Sequence, residues 1–145
     1  MIRRLIILLL IVGCNNSTAP EPDDCAGVVG GNAQLTDCLL GNWERTFHDE
    51  SLNVEIKLLF SFKDDGTWTG TAQRLPIIDS GIEADGIYNI SDGEMTITNN
   101  DCPEVDNHNG IYNISININE LNIILIEDEC ISFAEWFAGN YSRTM

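Results

Sequence analysis

From Leu39 onward, apolar and polar residues alternate with a period of two almost without a break, which is the spacing of half-buried β-strands. The clearest run is "VEIKLLFSF" (54–62), where Val54, Ile56, Leu58, Phe60 and Phe62 share one face. Just before it, "NWERTFH" (42–48) sets Trp43 and Phe47 on a common side. The polar "KDDG" (63–66) interrupts the pattern, and Gly66 suits a positive φ. A hairpin into "TWTGTAQR" (67–74) is therefore predicted. "LPIIDSG" (75–81) reads as a connection, because Pro76 has no amide hydrogen for a ladder.

The chain then repeats itself. "GIYNIS" occurs at Gly86–Ser91 and again at Gly110–Ser115. Each copy runs into a turn and a second alternating segment, "EMTIT" (94–98) or "ELNIILI" (120–126). Each unit is read as a hairpin with Tyr and Ile inward and Asn and Ser outward. Two copies are too few for a solenoid. "SFAEWF" (132–137) reads as one helical turn and "GNYSRT" (139–144) as the last strand. Short strands in regular succession with little helix predict an all-β fold, an eight-stranded antiparallel up-and-down barrel over residues 39–145.

The other end of the chain has a different character. "MIRRLIILLLIVG" begins basic and continues as the apolar run Leu5–Val12. A bilayer-spanning helix needs about 20 apolar residues, so this run reads as a secretory signal peptide. The box that follows, "Ile11-Val12-Gly13-Cys14", resembles the lipobox of bacterial lipoproteins. That resemblance implies removal of residues 1–13, acylation of Cys14, and a lipid anchor in a membrane, with the bacterial outer membrane as the expected location. Residues 14–38 would comprise the lipidated Cys14, the flexible tether "NNSTAPEPDD" (15–24) and an acidic loop between Cys25 and Cys38. This loop faintly resembles the calcium loops of thrombospondin type 3 repeats. It lacks their alternating Asp row, and calcium needs six to eight oxygens, so it is read as a disulfide-stapled acidic linker.

The net charge of −16 becomes about −18 once Arg3 and Arg4 leave with the signal. Arg45, Lys57, Lys63, Arg74 and Arg143 are scattered singly. Nucleic acid is excluded as a partner, since phosphate backbones require clustered cations. Apart from Cys14, four cysteines remain, and four allow three pairings. Neighbourhood in sequence favours Cys25–Cys38 and Cys102–Cys130. No Cys-x-x-Cys spacing suggests a redox or zinc motif.

"Leu40-Gly41-Asn42-Trp43", "FSFKDDGTWTG" (60–70), the two "G-x-Y-x-I" hairpins and "Gly139-x-Tyr141-x-Arg143" occur in order along the chain. Together they resemble the lipocalins and the lipocalin-like lipoproteins of bacteria, over residues 39–145. The resemblance implies that Arg143 packs over Trp43 and closes one barrel end, with Arg45 a competitor for that role. It also fits a bridge between Cys102, ahead of the sixth strand, and Cys130, after the seventh.

Candidate chemistry is sparse. His48 lies beside Asp49 and Glu50, but adjacent strand residues face opposite ways. His108, in "DCPEVDNHNG", reads as part of a solvated acidic loop. No nucleophile elbow, Cys–His pattern or phosphate loop occurs. The sequence therefore predicts no enzyme, no metal centre and no cofactor. Two roles remain for an envelope lipoprotein. In one, Ile56, Leu58, Phe60, Trp68, Tyr88 and Tyr112 line a cavity for a small hydrophobic molecule, with room left by Gly70 and Ala72. In the other, the barrel is filled by its own side chains and serves as a structural or protein-interaction module, with Leu59, Ile87 and Ile111 as outward contacts.

Overall fold

The computed structural model describes residues 24–29, 31–76, 81–99, 102, 105 and 108–144. The expected signal segment, Cys14 and nearly all of the tether lie outside the described residues. A short helix, α1 (Leu35–Leu39), leads into β1 (Gly41–Asp49), β2 (Val54–Phe62), β3 (Thr67–Leu75), β4 (Ile82–Ser91), β5 (Glu94–Asn99), β6 (His108–Asn117) and β7 (Glu120–Glu127). A second helix, α2 (Ile131–Phe137), precedes the last strand, β8 (Gly139–Arg143). Consecutive strands pair antiparallel in a closed up-and-down barrel. Trp43↔Arg143 and Glu44↔Ser142 join β1 to β8, so the sheet keeps no free edge to pair with another chain. No helix among the described residues is long and apolar enough to cross a membrane.

Period-two alternation does the positioning. Ile56, Leu58, Phe60 and Phe62 of β2 are buried while their neighbours are not. The hairpin between β4 and β5 turns on Asp92 (φ 53) and Gly93 (φ 83), two positive-φ residues whose twist matches the flanking strands. Backbone pairing carries β4 further than its side-chain pattern suggests. It starts at Ile82, and Ile82↔Ala72 through Asp85↔Thr69 extend the ladder although Ile82 and Glu83 are exposed.

The repeated glycines open "GIYNIS" for a steric reason. A Cβ on Gly86 would strike the Thr98 carbonyl and the Trp68 indole, which donates from Nε1 to that same carbonyl at 3.1 Å. A Cβ on Gly110 would strike the Asp128 carboxylate and the Tyr112 ring. Each copy leaves out a side chain where a neighbour's large or charged group crosses the strand.

The two helices sit at opposite barrel ends. At one, the segment stapled by Cys25–Cys38 docks against the barrel, with the Ile118 N–H donating to the Cys25 carbonyl at 3.1 Å. There Leu39 is fully buried with the core. At the other, α2 turns Phe137 into the barrel and sets Phe133 and Trp136 against the same core.

Candidate functional site

Under α2 lies a cavity of about 310 Å³. Leu58 and Phe60 of β2, Ala72 of β3, Ala84 of β4, and Phe133 and Trp136 of α2 form much of its wall. Asn99, Ser132 and Glu83 add polar atoms, and among the described residues Glu83 is the one ionisable group on the wall. A smaller hollow of about 170 Å³ shares Ala72, Ile82 and Trp136 and adds Ile56 and Arg74.

The six residues expected to surround one cavity are divided. Leu58 and Phe60 line the cavity under α2 and Ile56 the smaller hollow. Trp68, Tyr88 and Tyr112 line neither. The reason is the helix. Phe137 occupies the middle of the barrel, its ring centroid 5.0 Å from Phe60, 6.4 Å from Trp68 and 4.8 Å from Tyr112. Trp68 and Tyr112 have no exposed surface. Tyr88 points inward but packs edge-on against Phe62, 5.2 Å between ring centroids, with its hydroxyl donating to the Lys63 carbonyl at 2.6 Å in the turn after β2. Gly70 does border the cavity, but a Cβ there would meet the Phe60 ring, so part of the expected room is already taken.

Phe133, Trp136 and Phe137 were not anticipated as lining residues, yet the signal was present. They stand at i, i+3 and i+4, the spacing of one helical face.

Trp43 and Arg143 meet at the α1 end. The guanidinium lies 4.3 Å from the indole centroid, a stacking worth about 0.5–2 kcal/mol. Arg143 also donates to the Leu40 carbonyl at 2.8 Å and to that of Cys38, and Trp43 Nε1 donates to Leu39 O at 2.7 Å. Arg45 goes the other way. It caps the Ala138 carbonyl after α2 and lies 4.5 Å from the Phe47 ring centroid.

The acidic loop uses its first aspartate internally. Asp24 Oδ1 accepts N–H groups of Ala26 at 3.0 Å and Val28 at 2.9 Å, and Oδ2 accepts that of Ala33 at 3.1 Å. The Val28 bond, followed by that from Ala33, holds this carboxyl below the usual Asp range.

His108 is the main correction. It is 1 % exposed and opens β6 rather than sitting in a solvated loop. Its parity is that of Gly110, Tyr112 and Ile114, all inward; carrying the alternation two residues upstream would have found it. Its Nε2 lies 3.2 Å from Asp128 Oδ1, with both side chains fully buried. Asp128 also accepts the Cys130 N–H at 2.7 Å and the Tyr112 hydroxyl. Burial, then the bond to Asp128, pushes the Tyr112 phenol well above its ordinary value, so it stays a donor. The Cys102–Cys130 bridge adjoins this buried group.

No protein-family model, curated protein or solved structure matches this chain at a significant level.

Proposed function

We propose that this chain is a non-catalytic lipoprotein of the bacterial envelope, anchored by lipid on Cys14, whose lipocalin-like barrel carries a small apolar molecule. The observation behind this reading is the cavity of about 310 Å³ under α2. It is near the lower bound of typical small-molecule sites, apolar with a few polar groups at hand. With no cation among the described residues of its wall and a net charge of −16 on the chain, a neutral ligand is favoured over an anionic one.

Ala84→Phe tests the cavity, because it adds an aromatic ring to the wall. The wild type should bind a neutral apolar fluorophore that native mass spectrometry finds at one per chain, and the variant should lose that binding while melting within a few degrees of wild type. Equal binding by both proteins would place the probe elsewhere and remove the carrier reading. Anchoring is tested separately: Cys14→Ser should leave the membrane fraction or remain unprocessed.

A second reading, an interaction module with a filled barrel, draws on β7. Ile124, Leu125 and Ile126 are all exposed in succession, together with Ile87 of β4, whereas Leu59 and Ile111 are half-buried. Consecutive exposed apolar residues on a strand are a common feature of contact surfaces. A wild-type protein that binds no apolar probe would favour this alternative.

A further inference from the structure

Where the Cys102–Cys130 bridge meets the start of β6, one potential ligand atom from each of Cys102, His108 and Cys130 lies within 4.8 Å of the others, and His108 and Cys130 are almost wholly buried. Neither ring nitrogen of His108 has an aligned hydrogen-bond partner, which is uncommon for a buried polar group. The Asp128 carboxylate stands 3.2 Å from Nε2 and is itself held by the Cys130 N–H and the Tyr112 hydroxyl. Metal-binding imidazoles are commonly arranged this way, with a carboxylate behind one nitrogen and the other nitrogen left for the ion.

While the bridge is closed, its sulfurs are poor ligands, since the thiolate is the form that binds metal. We propose that reduction of Cys102–Cys130 by an external dithiol creates a site for a divalent cation of zinc's type. The two thiolates and His108 Nδ1 are its ligands, and Asp128 orients the imidazole. A dithiol thiolate attacks one bridge sulfur, the S–S bond breaks, and a mixed disulfide forms as the other cysteine leaves as thiolate. The second dithiol sulfur then displaces the remaining cysteine and closes a cyclic disulfide. Two electrons have passed to the protein, and the protons on its thiols go to solvent when the cation binds.

The geometry permits this. A tetrahedral ion with zinc–sulfur bonds of about 2.3 Å sets its sulfurs about 3.8 Å apart, a separation available once the bond is broken and inside the 4.8 Å spread of the cluster. Three protein ligands leave a fourth position. Cys130 borders the cavity under α2, so that position is suited to water. The site does not depend on the carrier reading.

The test uses the full chain in detergent, reduced with a dithiol that is then removed without oxygen, and titrated with cobalt(II). Reduced wild type should bind one cobalt per chain with a thiolate charge-transfer band and tetrahedral visible bands, both displaced by zinc; oxidised protein should show neither. Cys25→Ser/Cys38→Ser should retain the bands, and Cys102→Ser should lose them. Asp128→Asn should weaken cobalt binding about 10–100-fold, the range for a lost carboxylate behind a ligating histidine. If reduction unfolds the chain, zinc should restore its near-ultraviolet circular dichroism. Absence of the bands, failure of zinc to restore a fold lost on reduction, or unchanged bands and affinity in His108→Ala would overturn the proposal.

Discussion

Ile118, in the turn between β6 and β7, holds φ at 51°. A left-handed backbone costs a β-branched residue about 1–2 kcal/mol, and half of this side chain faces solvent. Its N–H still bonds to Cys25 O, and any residue but proline keeps that bond. Ile118→Asn should therefore raise stability by up to about 1 kcal/mol, seen as a higher urea midpoint with an unchanged slope. A lower midpoint would mean that the isoleucine's contact with the stapled segment outweighs its strain. Trp68 is the opposite case. It packs against Phe60, Phe133 and Phe137 with its N–H bonded across the strand to Thr98. Trp68→Ala should cost about 3–5 kcal/mol, the loss typical of a packed aromatic, measured by the same titration. A loss under about 1 kcal/mol would show that the indole borders free volume instead.

Among the elements, α1 and α2 do work that the strands cannot. A barrel of alternating strands buries its inward side chains but leaves two open ends, and each helix covers one. The α1 end is held by the Cys25–Cys38 bridge, whose residues are 13 apart, and by Arg143 bonding to the carbonyls of Cys38 and Leu40. Loss of a loop this short should cost about 3 kcal/mol in the chain-entropy account. The Cys25→Ser/Cys38→Ser protein is expected to lose about that much, with amide exchange accelerated at 35–40 before the rest of the barrel. Uniform acceleration throughout would mean that the end cap and the barrel open as one unit. At the other end, α2 supplies the aromatic face that both fills the barrel centre and leaves the cavity at its edge. One element thus decides between a filled and a hollow interior.

For the molecule as a whole, ionisation bounds stability from two sides. Asp49 is held below its usual range by the Ser51 hydroxyl and then the Leu52 N–H, and Asp65 by the Thr67 hydroxyl and N–H. Asp24 is held down by N–H bonds in the same way. Groups with depressed folded values contribute stability above the unfolded carboxyl value of about 4 and lose it as pH falls through the folded value. Burial raises Tyr112 and Tyr141. Their contribution is complete below the unfolded phenol value of about 10 and declines as pH rises beyond it. The melting temperature should accordingly fall below about pH 4 and again above about pH 10. Tyr112→Phe should flatten the alkaline fall. An alkaline limb identical in the variant would assign that fall to other groups.

The barrel itself was legible because a closed antiparallel sheet has one rule, alternation, and that rule is local. Val54–Phe62 shows it without help, and the turn at Asp92–Gly93 follows from two residues that tolerate positive φ. The two bridges were favoured by sequence neighbourhood. The interior was less legible. Parity says that Trp68 and Tyr112 point inward, but not what they meet there, because Phe137 reaches them from a helix far along the chain. His108 and Asp128 were hidden for a related reason. Polar residues near strand ends usually face water, and only the missing side chain of Gly110 makes space for a carboxylate within the barrel. Local spacing determined the strands, their faces and their order. Tertiary structure alone decided which inward side chains became core, cavity wall or buried polar cluster, because volume is shared among elements distant in sequence and no periodicity records how it is divided.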